Sequence, residues 1–455
     1  MIRRTRRRQS RWSVVLLWAV LLVVPGPAAT AGERGAAIAG ASSHVVPGSL
    51  LVTTADQQAV GVMRRLVSTG SSAALAEAAM MSITDRVTEV RVPEGQAGAA
   101  AQALASQPGV VAVEPNAIRY LLAVPDDRQY GKQWAHRLTG IESGWDISTG
   151  SSEVTVAVID SGVVASHPDL AGRIVDQVDA STGQIRPGRR NNDSCRIGHG
   201  TWVSGVVGAI GDNREGVAGA NWDVSIIDIS LTSPDVSCKE ITDSAAIAGI
   251  DYAVTHGAKV INLSFGGSAT TDPACPKAFQ TTLDQARSAG ALVVAAGGND
   301  GSTVAPVPAS CNGVMSVAAV GPSGLRADYS TMNIFIDVAA PGGEGSPDNN
   351  PALDILTTSY WNAGARTDET LAVAGTSFAS PYVAGLAALL LSVEPSLTPD
   401  QLESAIERTA RDTGVPGRDP LYGWGIIHAG DAVALINSSQ EVPPLEPDPP
   451  FPVGD

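Results

Sequence analysis

Three residues of this chain are of the types that together make a covalent catalyst. Ser377 lies in Gly375-Thr376-Ser377-Phe378-Ala379-Ser380-Pro381, directly ahead of an apolar helix, and His199 lies in Gly198-His199-Gly200-Thr201, opening another. Asp160 closes the apolar run Val156 to Ile159, just before Ser161-Gly162. A serine hydroxyl is a poor nucleophile until an imidazole takes its proton, and the imidazole needs a carboxylate to fix its tautomer and hold its charged form. Singly, each has an ordinary alternative: an aspartate can cap a helix, a lone histidine is commonly structural, and Ser377 reads equally well as an N-cap with proline in the first turn. As a set, in the chain order Asp, His, Ser, they supply one of each group needed. The α/β-hydrolase order is different, and no G-x-S-x-G elbow surrounds Ser377. The other histidines, His44, His136, His167, His256 and His428, read as structural.

Elements that position such groups are legible around them. From about 130 to 438, short continuous apolar runs (154–159, 224–231, 260–263, 291–296 and 314–320) alternate with helical stretches at 199–209, 243–255, 278–289 and 377–391. Uninterrupted apolar strands suit a parallel sheet covered on both faces, an α/β fold. A carboxylate at the carboxyl end of such a strand lies where open α/β sheets place their sites. Ahead of this, residues 46–123 read as a separate small α+β module, with strands at 49–53, 87–92 and 110–116, helices at 59–68 and 97–106, and a polar link at 124–128.

Composition narrows the setting. The chain has 455 residues, 44% hydrophobic and 17% charged, enough for one large or two ordinary cores. Its net charge of −16 argues against nucleic-acid binding. Six arginines and no acid fall in residues 1–31, followed by the apolar run Ser13 to Val24 and the small residues Ala28 to Ala31, the order of a secretory signal cleaved after Ala31. A run of that length is short for a stable membrane anchor. Residues 440–455, with six prolines from Pro443 to Pro452, read as an extended tail. Four cysteines, Cys195, Cys238, Cys275 and Cys311, in an exported chain imply two disulfides, with three pairings open to the sequence.

Val158-Ile159-Asp160-Ser161-Gly162-Val163, His199-Gly200-Thr201 and Gly375-Thr376-Ser377-Phe378-Ala379-Ser380-Pro381 resemble the three signatures of the subtilisin-like serine proteases (subtilases, peptidase family S8). The similarity runs over about 130–435 and extends to His167-Pro168-Asp169-Leu170, to 261–267 and to 295–301. The resemblance implies a three-layer subtilisin-like α/β fold over 130–438, with a mainly parallel sheet between helices. It identifies 46–123 as a ferredoxin-like α+β propeptide that chaperones folding and inhibits the enzyme until a cut between Tyr120 and Asp127. By the same comparison Asn299 is the oxyanion donor. Ser264, Phe265 and Gly266 with Ala295, Ala296 and Gly297 form the walls of the specificity pocket and the strand that pairs with substrate, and Asp300 sits at the rim, read as a solvated turn carboxylate.

Further implications are Cys195–Cys238 and Cys275–Cys311 disulfides and a structural Ca²⁺ held by Asp169 and Asn213 in the loop 211–217. The chain departs from the family at Trp202, where a second histidine is usual; its side chain is expected to face the packed side of the helix. The implied protein is a secreted, extracellular, monomeric serine endopeptidase acting on proteins or peptides, with its own propeptide as inhibitor and no nucleic-acid partner. The competing reading is an exported binding protein of the same fold whose cleft stays blocked. A narrow processing enzyme would share the chemistry and differ only in substrate range.

Overall fold

A computed structural model describes residues 45–443 apart from 71–72, 76, 94, 118–123, 189–190, 269–274, 346–349, 360–369 and 439–441. The expected signal at 1–31 and almost all of the proline-rich tail lie outside the described residues, as does part of the expected cut region. The chain divides into two compact units, 1–118 and 119–455.

The first unit is a βαββαβ arrangement: β1 (Val45–Thr54), α1 (Gln57–Ser68), β2 (Ala79–Ser82), β3 (Val87–Arg91), α2 (Ala97–Ala105) and β4 (Val110–Ala117). The strands form an antiparallel sheet in the order β2-β3-β1-β4. Alternation along β1 and β3 sends Leu50, Val52 and Val90 to one face, where they meet Met63 and Val67 of α1 and Ala100, Ala101 and Leu104 of α2. Strand β2 escapes the sequence reading because it is short and mostly exposed, with no buried alternation to betray it.

The second unit begins with two short helices, α3 (Trp134–Thr139) and α4 (Ile141–Trp145). Next come β5 (Gly150–Asp160), β6 (Ile174–Asp179), β7 (Arg186–Pro187), α5 (His199–Gly208), β8 (Asp223–Ser230), α6 (Asp243–Thr255) and β9 (Val260–Leu263). Then follow β10 (Gly267–Ser268), α7 (Lys277–Ser288), β11 (Leu292–Ala296), β12 (Pro306–Val307), β13 (Val314–Val320) and β14 (Ile336–Pro341). The unit ends with β15 (Ile355–Thr358), β16 (Thr370–Val373), α8 (Thr376–Val393), α9 (Pro399–Arg408) and α10 (Ala429–Asn437). Among the described residues the main sheet runs β14-β13-β11-β9-β5-β8-β6-β7, parallel except at β7.

Alternate residues of each strand enter two separate cores, which makes the unit three-layered. Val156, Val158, Val260 and Val294 meet α5, α8 and α10 on one face. Ala157, Ile159, Ile261 and Val293 meet α6 and α7 on the other. The sequence reading missed β6 and β14, whose patterns are broken by Asp176, Gln177 and Asp337. Helix α8 is long and apolar enough to cross a membrane but is buried along most of its length. It serves instead as the spine of the larger core, packed on β5, β9, β11 and β13.

Where α8 crosses α5 the backbones nearly touch. A Cβ on Gly385 would lie 2.7 Å from the Val207 carbonyl oxygen and 2.8 Å from the Ala220 Cβ. Gly385→Ala is therefore expected to lose about 1–3 kcal/mol to overpacking, outweighing the ~1 kcal/mol that alanine's better helix propensity contributes. A thermal melt reads the outcome as a lowered midpoint, and an unchanged or raised one would show slack at this crossing.

Candidate active site

Strand β5 ends the central part of the sheet by delivering Asp160 at its carboxyl terminus, where the adjoining strand also stops: Asp160 stands beside Ser230 of β8. The Asp160 carboxylate accepts the Ser161 N–H at 2.6 Å and faces Nδ1 of His199 at 2.8 and 3.0 Å. With Nδ1–H donating there, Nε2 is left as the basic nitrogen. The side chain of Asp160 is 4% exposed and that of His199 25%, so a substrate can reach the imidazole but not its carboxylate.

The histidine is the first residue of α5, and the approach of that helix to the β5 turn depends on absent side chains. A Cβ on Gly200 would lie 2.6 Å from the Gly162 carbonyl, and Gly162 itself has φ +98° with the Asn192 carbonyl 2.4 Å from where a Cβ would stand. Asp193 braces the same start, its two carboxylate oxygens accepting the Ile197 and Gly198 N–H groups at 3.0 and 2.7 Å. Burial is the largest single influence on the His199 proton and favours its loss. The charge and hydrogen bond of Asp160, with the charge of Asp193, more than offset it and leave the imidazole above its ordinary value.

Ser377 is the second residue of α8, on the same side of the sheet. Its hydroxyl donates to the Ser264 carbonyl at 3.2 Å, and the Ser264 hydroxyl donates back to the Ser377 carbonyl at 2.9 Å. That carbonyl is free for the purpose because the residue four further on is Pro381, which has no N–H to offer it. The sequence reading put the proline in the first helical turn; the structure puts it in the second. Asn262 completes the support by donating to the Ser264 hydroxyl at 2.9 Å. The rings of Phe378 and Trp202 lie 5.7 and 6.1 Å from the imidazole. Trp202 thus flanks His199 rather than pointing only into the packed side of α5, and its indole N–H is buried without a partner among the described residues.

Asn299, in the loop after β11, is held by one neighbour. The Thr376 N–H and hydroxyl donate to its Oδ1 at 2.8 and 2.7 Å, and the same hydroxyl accepts the Gly298 N–H at 3.2 Å. With both donors on Oδ1, Nδ2 is left for the cleft. That cleft, about 360 Å³ in volume, has Asn299 and Ser377 in its lining, with Ser264, Phe265, Gly266 and Ala296 as walls. Two expected wall residues are elsewhere: the Ala295 side chain enters the core under α6 and α7, and Gly297 is tied to β13 through the Val317 carbonyl at 2.9 Å. Alternation along β11 explains this, since adjacent residues cannot face the same side. Asp300 is in the lining, where the Thr331 hydroxyl and the Ser302 N–H hold its carboxyl below the ordinary range.

Comparison with known proteins agrees with this geometry. A family model for the subtilases (Peptidase S8) matches residues 151–425. The chain belongs to the subtilase family. An extracellular protease of Xanthomonas campestris is 36% identical over 374 residues, covering 73% of this chain and 61% of that relative's length. Thermitase of Thermoactinomyces vulgaris is 33% identical over 306 residues, 67% of this chain and 96% of thermitase. Among solved structures, a protease from Pseudoalteromonas arctica superposes with a TM-score of 0.61 at 33% identity, covering 69% of this chain and all of that one. Fervidolysin from Fervidobacterium pennivorans, at 21% identity and TM-score 0.58, shares the fold over 89% of this chain and 62% of its own.

This subtilase carries two disulfides, Cys195–Cys238 and Cys275–Cys311, the pairs that the resemblance implied. For calcium the structure offers a mixed set. Asp169 accepts the Asn213 side-chain N–H at 3.0 Å and the Val217 N–H at 3.0 Å. Asn213 thus turns its nitrogen, not its oxygen, toward Asp169. Asp127, which the sequence reading missed, accepts the Asp212 N–H at 2.7 Å, while its other oxygen is buried without a partner among the described residues. Burial raises both carboxyls, Asp127 to about 6, where the charge of Asp169 adds to the rise. Among the described residues no three His, Cys, Asp or Glu side chains form a metal cluster. The residues nevertheless fit a hard cation, because an orphaned carboxylate oxygen beside a second carboxylate lacks a positive partner.

Sequence reasoning also missed Thr376 and Asp193, for which only adjacency to the signatures gave a signal, and Asp228, whose one signal was its polarity within the apolar run 224–231. Thr376→Val keeps the backbone N–H on Asn299 but removes the hydroxyl. Since losing an oxyanion donor outright costs about 10²–10³ in kcat, loosening it is expected to lower kcat about tenfold with KM little changed. Steady-state kinetics on a peptide substrate check this, and an unaltered kcat would mean that the N–H alone fixes the amide.

Proposed function

We propose that this subtilase is a secreted serine endopeptidase made as a self-processing precursor, with Ser377, His199, Asp160 and Asn299 as its catalytic residues. The observation that carries the proposal is an Asp160-paired imidazole whose ring lies 5.7 Å from that of Phe378, the residue after Ser377, beside a cleft lined by Ser377 and by Asn299, whose amide oxygen is already committed and leaves its N–H groups for substrate. In the reaction the Ser377 hydroxyl turns from the Ser264 carbonyl to His199 Nε2, which takes the proton as Oγ bonds to the scissile carbonyl carbon. The oxygen, now negative, is met by Asn299 Nδ2 and the Ser377 backbone N–H at the start of α8, where the helix dipole also favours negative charge. His199 then gives its proton to the leaving amine, breaking the C–N bond and leaving an acyl-enzyme that water cleaves by the same steps.

Unfolded protein or peptide is the substrate class that suits a cleft whose wall comes to the surface at half-buried Phe265 and exposed Gly266. The module at 46–123 serves as intramolecular inhibitor and folding aid. Its βαββαβ fold and its last strand, ending at Ala117 immediately before the second unit, support this. The names of the relatives, extracellular protease among them, and the arginine-rich, apolar start support export, and the two disulfides suit an oxidising compartment. A structural Ca²⁺ would be held by Asp127, Asp169 and oxygens of the loop 211–217, including Asn213 with its amide turned over. It would supply charge neutralisation and stability rather than chemistry.

Intact mass and casein hydrolysis of the exported protein and of its Ser377→Ala form test the enzyme reading. Cutting of the wild type at 120–127, a fluorophosphonate adduct on Ser377 and an uncut, inactive mutant are expected. A wild type that stays full length and takes no adduct would favour the blocked binding protein. For the ion, chelation is expected to lower the melting midpoint and added Ca²⁺ to restore it, since a ligand at 100 times its Kd adds about 2.7 kcal/mol. Asp127→Asn should blunt that response, and a midpoint indifferent to chelator would remove calcium from the description.

A further inference from the structure

The second unit buries three carboxyl groups, Asp160, Asp193 and Asp228, at the elements that meet at His199, and among the described residues only Asp160 hydrogen-bonds the imidazole. Asp193 holds the start of α5. The third, Asp228, is fully buried in the middle of β8, in register with Val158 of β5 and therefore on the same face of the sheet as Asp160, one alternation back. An acid in the interior of a strand otherwise built of Ile226, Ile227 and Ile229 has no role in core packing.

Its contacts are with the turn that follows Asp160. One oxygen of Asp228 accepts the Val163 N–H at 3.1 Å and the Gln177 side-chain N–H at 2.8 Å. Gln177 also donates to the Val163 carbonyl at 3.0 Å, and so does the Asn192 backbone N–H at 2.9 Å. Val163, three residues past the catalytic carboxylate, is thus gripped by both of its backbone groups, with Asp228 and Gln177 as the two jaws. The other Asp228 oxygen is buried without a partner among the described residues.

We propose that Asp228 is a positioning residue for the reaction, acting through Asp160: it clamps the turn that carries the catalytic carboxylate and, by its charge, sets how firmly the Asp160–His199 pair holds a proton. The groups that face it are the Val163 N–H after β5, Gln177 from β6 and Asn192 from the loop before α5, with the Asp160 charge close by; Asp160 in turn hydrogen-bonds His199 and feels the charge of Asp193. The only cation that can form among them is His199 itself. Burial accordingly pushes the Asp228 carboxyl up to about 7, with the Asp160 charge adding to the rise against the hydrogen bonds from Gln177, Val163 and Asn192. Ionisation near neutrality adds negative potential that keeps the His199 proton on to higher pH. The same rise has a signature in stability: the unfolded chain releases this proton near pH 4 while the folded one keeps it to about 7, so folding free energy is lost across that window and stays lost above it.

The inference rests on Asp160 and His199 being the catalytic pair, and its test needs a readout that survives without turnover. In the full chain carrying Ser377→Ala, NMR titration of the His199 ring protons is expected to give a pKa lower by at least ~0.3 units when Asp228→Asn is added, because a nearby negative charge is removed. The asparagine oxygen can still accept from Val163 and Gln177. Its melting midpoint relative to the parent should climb from pH 4 to 7 and level off above. In active protein, Asp228→Asn should move the acid limb of kcat/KM to lower pH by the same amount. Asp228→Ala, which opens the clamp, should lower kcat about tenfold with KM little changed, and Asp228→Asn should recover most of that loss. Superimposable His199 titrations in the two forms, or an alanine variant with kcat within twofold of wild type, would overturn the proposal. Loss of all hydrolysis by the wild type would instead remove the catalytic reading and leave the titration to decide this one.

Discussion

An imidazole enclosed by protein has lost the water that would stabilise its positive form, and a carboxylate at hydrogen-bond distance is what restores that form. The 2.8 Å approach of His199 Nδ1 to Asp160 is therefore the contact that the surrounding architecture serves. It requires the end of a parallel strand and the first residue of a helix to meet, and neither element can be moved independently. Strand β5 is fixed by β8 and β9 on its two sides. The helix can come close enough only because Gly200 presents no side chain to the Gly162 backbone. A buried pair of this kind gains little as a staple, since desolvation consumes much of its attraction; its value lies in which nitrogen it leaves basic.

The nucleophile depends on a different device. Ser377 is carried by the most deeply buried helix of the unit, so its backbone is placed by the core rather than by a loop. Pro381 disrupts that helix by one hydrogen bond, and Ser264 takes the freed carbonyl, which couples the second residue of α8 to the end of β9. Thr376, one residue earlier, couples the same turn to Asn299 after β11. The first turn of α8 is thereby tied to two adjacent strand ends, and the proposed oxyanion donors, Asn299 Nδ2 and the Ser377 backbone N–H, are set before any substrate arrives. Preorganisation of this kind is what allows fixed dipoles to act without reorganisation during the reaction.

Much of this was legible in the chain itself, and the pattern of what was not is physical. Strands buried on both faces announce themselves as apolar runs, and Asp160, His199 and Ser377 stand out because each interrupts the start or end of one. Strands β6 and β14 did not, because Asp176, Gln177 and Asp337 spend their polarity on tertiary hydrogen bonds that a local pattern cannot reveal. Ala295 and Gly297 were assigned to the cleft by resemblance to a whole segment, whereas the two-residue period of a strand allows only part of such a segment to face it. Supporting groups such as Thr376, Asp193 and Asp127 were invisible for another reason. Their partners are 77, 4 to 5 and 85 residues away along the chain, and nothing in residue type alone distinguishes a bracing side chain from a solvated one.

The sheet and α8 make the site's framework stiff, yet the site is read by substrate through loops, and loops are drawn from the least stable parts of a fold. The cross-links fall at those places. Cys195–Cys238 joins the loop before His199 to the one after β8, closing 43 residues, and Cys275–Cys311 joins the segment after β10 to the one after β12, closing 36. Loop-closure estimates allow each up to about 4 kcal/mol, but their placement matters more than that sum. Neither bridge links two strands of the main sheet, which its own burial already holds. Each instead limits how far a cleft-side loop can open, so local unfolding that would expose the Asp160–His199 pair to water, or the cleft loops to another protease, becomes as costly as opening the framework. Cross-links placed in this way act where an active site read through loops would otherwise fray first.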